Sequence, residues 1–191
     1  MHRMKNISLA LLLACSVIGS AVVANAQMME KKDPNVGGAP MFPTKNIVEN
    51  AVNSKDHTTL VAAVKAAGLV DTLESAGPFT VFAPTNEAFD KLPAGTVETL
   101  LKPDNKATLV KILTYHVVAG RLSAKDLMKQ IKAGHGKAEL KTVSGGTLTA
   151  TSMGGKIMLT DEKGGMATVT IPNVFQSNGV IHVINAVLLP N

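Results

Sequence analysis

GPFTVFAPTNEAFDKL, Gly77 to Leu92, is the stretch whose pattern decides the fold. Gly77 and Pro78 punctuate a loop, and Phe79 to Ala83 predicts a strand. Phe79, Val81 and Ala83 would share one face, Thr80 and Phe82 the other. Apolar residues on both faces belong to an inner strand covered on both sides. Pro84 has no N–H to donate, so the ladder is expected to stop there. Thr85 or Asn86 can cap a following helix, with Glu87 favourably placed in its first turn. Three of the five phenylalanines, Phe79, Phe82 and Phe89, fall in this stretch, so the core leans on it.

A second stretch, Asn178-Gly179 followed by Val180 to Pro190, has the same character. Val180, His182, Ile184, Ala186 and Leu188 would point one way. Ile181, Val183, Asn185, Val187 and Leu189 would point the other. This too predicts an inner strand, in the same sheet as the first.

Around these strands the pattern is helical first. Ile47, Val48, Ala51 and Val52 recur at helical spacing behind a Thr44 cap, and a second helix starts near Thr58 and stops at Gly68. A short turn covers Leu69 to Leu73. Further helices are expected at Thr96 to Leu101, after an Asp104 cap, and after the capping-box pair Ser123 and Asp126, this last ending at Gly134. From Ala138 the pattern is strands: Glu139 to Val143, Thr147 to Met153, Lys156 to Thr160 and Met166 to Ile171, separated by Gly-Gly pairs that signal turns. Pro172 to Gly179 is expected as a connection. Helices first and then a meander of strands is an α+β arrangement.

The chain begins as an export signal. Arg3 and Lys5 precede an apolar run from Ile7 to Val23, and Ala24-Asn25-Ala26 is a small-x-small cleavage site. Residues 1–26 are therefore expected to leave, with Gln27 as the new N-terminus and no membrane span remaining. A competing possibility is a lipid attachment site at Leu12-Leu13-Ala14-Cys15, with Cys15 modified. Residues 27–43, rich in proline and glycine, predict a mobile linker that adds little to the core. Residues 44–191 then form a single domain, expected to be a monomer.

Composition excludes several functions. Loss of Arg3 and Lys5 leaves 17 basic against 14 acidic residues, a net charge of only +3. With Arg121 as the one remaining arginine and no tryptophan, there is no nucleic-acid groove or stacking platform. Cys15 is the only cysteine, so the exported chain has no disulfide and no thiolate chemistry. No Gly-x-Ser-x-Gly elbow and no phosphate-binding Gly-x-x-x-x-Gly-Lys-Ser/Thr loop occurs. His57, His116, His135 and His182 lack ligand-like spacing, and no metal or cofactor is expected. His116 and His182 sit among apolar residues and predict core histidines held by hydrogen bonds. Asp161 and Glu162, adjacent in sequence, predict a solvated turn.

Thr80 to Phe89 (TVFAPTNEAF) and Asn178 to Pro190 (NGVIHVINAVLLP) resemble the two signature motifs of the fasciclin domain, and Tyr115-His116 resembles its Tyr-His segment. The resemblance implies a curled, antiparallel-rich β-wedge flanked by several short helices. Its structural motif falls here on Thr80, Phe82, Pro84, Thr85, Asn86, Phe89, Gly179, His182 and Asn185, the last replacing an acidic residue common in the family. It also implies an extracellular or envelope protein without catalytic activity that adheres to a cell-surface or matrix protein or a polysaccharide. Two segments associated with receptor binding in relatives fall on Tyr115-His116 and on Asn173-Val174, where the family's acidic residue is absent. The alternative is a carrier or sensor of a small apolar ligand held between sheet and helices, with Met128, Met153 and Met158 as candidate lining.

Overall fold

The computed structural model describes residues 33–191. The export signal, Cys15 and the start of the expected linker lie outside the described residues. The remainder of that segment is not a loose linker. It forms a hairpin of β1 (Asn35–Val36) and β2 (Ala39–Pro40), which turns at Gly37 and Gly38, both with positive φ. A Cβ on Gly37 would lie 2.4 Å from Ser54 Oγ, so glycine is what lets the turn close on its neighbour. Val36 and Met41, 3% and 2% exposed, enter the core. The prolines and glycines thus make a tight turn between two buried apolar anchors.

Seven short α-helices and one strand pair follow before the meander. α1 (Ile47–Ala51) starts behind Asn46, whose side chain accepts the Glu49 amide while Glu49 accepts the Asn46 amide. Asn46 is therefore the cap, and Thr44 lies two residues outside the helix. α2 (Thr58–Ala67) ends at Gly68 in the left-handed conformation, φ 73°. α3 (Val70–Glu74) leads into β3 (Phe79–Pro84). Pro84 closes that strand as its last residue, and α4 (Asn86–Asp90) begins directly after Thr85. α5 (Thr96–Leu100) and α6 (Lys106–Tyr115) come next. Asp104 falls inside a 3₁₀ turn ahead of α6 and is not its cap, a place taken by Asn105. β4 (Val117–Ala119) then pairs antiparallel with β3. α7 (Ala124–Ala133) has the expected capping box between Ser123 and Asp126.

The meander is β5 (Lys137–Lys141), β6 (Thr147–Met153), β7 (Lys156–Thr160), β8 (Met166–Gln176) and β9 (Gly179–Ile184). Seven strands make one sheet in the order β4-β3-β9-β8-β7-β6-β5. A bridge between Val118 and Thr142 brings the two ends of that order together, so the sheet curls until it nearly closes. β3 and β9, the two strands expected to be central and to share a sheet, are parallel neighbours with Phe82 opposite His182. β9 stops at Ile184, because the next residues leave the ladder in a bend.

β8 is longer than expected. It runs through Pro172 with register shifts between Val169 and Ile171 and between Ile171 and Val174. Each shift adds a residue to β8 that has no opposite number in β9, and such bulges tolerate a residue with no N–H.

The alternation along β3 and β9 divides the core in two. Val81, Ala83, Ile181 and Val183 join the cluster under α1, α2 and α6. Phe82 and Ile184 join a second cluster inside the curl, where Leu127 and Ile131 of α7 meet Leu140, Leu148 and Leu159 of the meander.

Candidate functional site

Two motif residues, Thr80 and His182, and the expected partner residue Asn173 converge on one segment, Gly120 to Ala124, which runs from the end of β4 into α7. Thr80 is fully buried on β3, and its hydroxyl donates to the Gly120 carbonyl at 2.6 Å and accepts the Leu122 amide at 2.9 Å. His182, opposite Phe82 and stacked on it with ring centroids 5.7 Å apart, donates from Nε2 to the Leu122 carbonyl at 2.8 Å. Its Nδ1 faces the Asn173 amide at 3.4 Å. Asn173 Oδ1 accepts the Ala124 amide at 2.8 Å and so caps α7 from another part of the chain. Arg121 completes the clamp by donating to the carbonyls of Gln176 and Ser177. Asn173 holds a left-handed φ of 61°, which asparagine tolerates better than most residues.

Tyr115 and His116 occupy a separate place, at the end of α6. Both are buried. The Tyr115 hydroxyl donates to the Thr147 carbonyl and accepts the Glu162 amide. Burial foremost pushes its pKa up to about 12. His116 Nε2 accepts the Leu188 amide at 3.0 Å, so its proton sits on Nδ1, which donates to the Ile112 carbonyl at 2.8 Å. Burial pushes the His116 pKa down to about 4, and burial likewise lowers those of His57 and His182. These three rings are neutral at pH 7.

Of the four residues expected to meet a partner, Tyr115, His116 and Val174 are buried, and Asn173 is half-exposed at the β8 bulge. Asn173 belongs to the clamp on α7 and Val174 to the core under the helices, whereas Tyr115 and His116 tie α6 to the turn at Thr147, to Glu162 and to the C-terminal segment. No hydrogen bond links the two pairs among the described residues, although His116 and Val174 line the same apolar cavity.

The remaining motif residues act locally. Asn86 bonds outside its own helix: its Oδ1 accepts the Thr59 amide in the first turn of α2, and its Nδ2 donates to the Lys55 carbonyl. Thr85 makes no side-chain cap bond. Phe89 is buried against the helical cluster. Gly179 must be glycine because a Cβ there would lie 2.3 Å from the Phe79 carbonyl oxygen. Asn185 Oδ1 accepts the Thr168 amide and so extends the β8 pairing beyond the strand end.

Three polar residues to which the sequence patterns gave no such role hold comparable positions. Asn178, buried, accepts the Ile47 amide at the start of α1 and donates to the carbonyls of Leu73 and Ser75. Asn50 bonds both ways to the backbone of Phe42 and donates to the Gln176 side chain. Asp161 is buried, not a solvated turn residue: its carboxylate accepts the amides of Lys163, Gly165 and Leu189. The Asn-Gly pair and the Asp before a Gly-Gly turn were the available signals, but both also read as ordinary turns.

An apolar cavity of about 70 Å³ lies between α1, α2 and α3 and the face of β3 that carries Phe79, Val81 and Ala83. Met128, Met153 and Met158 do not line it, and Met153 is 69% exposed. No three His, Cys, Asp or Glu side chains gather as metal donors among the described residues. No helix of the described residues is long and apolar enough to cross a membrane.

Comparison with known proteins agrees with this architecture. The fasciclin domain profile matches residues 55–190. Protein sll1483 of Synechocystis sp. is 48% identical, over 91% of this chain and 89% of its own. The cell surface glycolipoprotein MPB83 of Mycobacterium bovis is 34% identical, over 93% of this chain and 74% of its own. A FAS1 domain pair from the insect cell adhesion molecule Fasciclin I has the same fold. It superposes with a TM-score of 0.67 at 22% identity, over 76% of this chain and 51% of that one. With its curled sheet, its clamped α7 and a profile match across most of its length, the chain belongs to the fasciclin domain family.

Proposed function

We propose that this protein is an exported, non-catalytic interaction module of the periplasm or cell surface that binds a cell-surface or matrix protein or a polysaccharide. The observation that carries this reading is the 34% identity, across most of both chains, to a protein named for its place at the cell surface. The chemistry of the interior supports it. His116 and His182 spend both ring nitrogens on backbone groups, and among the described residues neither ring is hydrogen-bonded to a serine, threonine or cysteine side chain.

Because Tyr115, His116 and Val174 are buried, we assign contact with the partner to the β8 bulge, where exposed Thr170 and Pro172 flank half-exposed Asn173. The test is binding of labelled Gln27–Asn191 to the source cells and to their isolated envelope and polysaccharide, at low and high salt. Saturable binding that survives salt and weakens with Pro172→Asp is expected. Binding abolished by salt would reduce the interaction to net charge, and no binding would refute the adhesion reading.

A further inference from the structure

An apolar cavity lies under α1, α2 and α3. Its floor is Phe79, Val81 and Ala83, and Leu60 and Val64 of α2 close it from above. The lining runs from Val36 of the first hairpin and Met41 just after it to Val117 of β4 and Val143 bonded to it, and the surface it presents is apolar throughout. The polar side chains in that lining are largely engaged elsewhere. Ser54 Oγ pairs with His57 Nδ1, the Thr114 hydroxyl donates to the Val110 carbonyl, and His116 is fully bonded.

Two features remain. His57 is 3% exposed, and its Nε2 is buried with no hydrogen-bond partner among the described residues. The Ala83 carbonyl stands close enough to oppose the downward shift that burial imposes on this ring, without completing a bond. At the rim, half-buried Val48, Val61 and Val70 leave apolar surface open to solvent beside the exposed Lys65.

These features select an occupant. An apolar wall rejects sugars and nucleotides, whose hydroxyls and phosphates would go unpaired. A cation at the mouth favours an anionic head. The cavity's 70 Å³ exceeds the roughly 10–15 Å³ that holds a water and is about half of an apolar cavity of ~150 Å³ that takes up benzene. That is room for the end of an alkyl chain, with the rest of the chain lying along the open rim. We propose that this groove binds a single-chain fatty carboxylate, its hydrocarbon end in the cavity and its carboxylate beside Lys65. The site shares buried Val174 with the β8 bulge but not its exposed Thr170 and Pro172, and failure of the adhesion reading would leave it untouched.

The test uses the purified exported protein, extracted free of lipid and titrated with a fluorescent tetraene fatty acid. One saturable site per chain is expected, displaced by oleate. Val64→Phe, which fills the cavity, should weaken binding tenfold or more with an unchanged circular dichroism spectrum. Val61→Phe at the rim serves the same purpose if Val64→Phe does not fold. Lys65→Glu should weaken displacement by oleate severalfold and leave oleyl alcohol unaffected. Absence of saturable binding, or equal binding by a folded filled variant, overturns the site. Equal loss for oleate and oleyl alcohol in Lys65→Glu overturns the placement of the carboxylate.

Discussion

His116 Nε2 accepts the backbone amide of Leu188 at 3.0 Å, tying the end of α6 to the C-terminal segment across 72 residues. The bond exists only while that nitrogen is unprotonated. Beside it, Leu189 donates to Asp161 and Asn191 to Glu162, so a run of backbone amides is held by three side chains in succession. Burial holds the His116 pKa at about 4, against an ordinary value of 6.5. Between those two pH values the unfolded chain binds a proton that the folded chain refuses. Stability therefore rises with pH across this window and falls as pH drops from 6.5 towards 4. His116 alone is expected to contribute a loss on the order of 3 kcal/mol across the window. His57 and His182, also shifted down, add to it in the same direction. Urea denaturation at pH 7.5 and 4.5 measures the difference. His116→Phe is expected to shrink it markedly, and an unchanged pH dependence in that variant would contradict the role given to the ring.

Thr80 both donates and accepts inside the core. Thr80→Val keeps the shape but strands the Leu122 amide and the Gly120 carbonyl, each buried group left unpaired costing about 1–3 kcal/mol. Hydrogen exchange at the Leu122 amide should accelerate more than exchange within β6 and β7. Uniform acceleration across the domain would show that the effect is global and not a loosening of the connection into α7.

Asn178→Ala removes three bonds at once, to Ile47, Leu73 and Ser75. The expected destabilisation is about 2–5 kcal/mol, several unpaired buried groups at about 1–3 kcal/mol each. The loss should appear as a lowered denaturation midpoint. A midpoint within error of wild type would mean that water replaces the side chain.

Phe82 and Ile184 are fully buried in the cluster inside the curl. Truncating either to alanine should cost about 2–5 kcal/mol, the range for large-to-small core changes. An unchanged melting temperature in either variant would contradict the packing described for β3 and β9.

Much of this was legible in the sequence because it depends on neighbours within a few residues. The two-residue alternation of Phe79 to Ala83 and of Val180 to Ile184 set which side chains face which cluster. The spacing of Ser123 and Asp126 set a capping box, and Gly68 set the end of α2. Such features require only the local backbone, so the chain carries them wherever it folds. The partners of the polar side chains are of another kind. Asn86 caps α2 and not its own helix, Asn173 caps α7 across 49 residues, and Asn178 reaches Ile47 across 131. Each of these bonds exists only once the sheet has curled and brought distant backbone within 3 Å or so, and no local pattern records that closure. The same holds for Val36 and Met41, which composition alone assigned to a linker, and for Pro172, which β8 accommodates in a bulge. Local pattern was enough for the alternating faces of β3 and β9 and for the capping box of α7. Tertiary structure decided which buried donor meets which acceptor, because a hydrogen bond is set by distance and direction in space and not by separation along the chain.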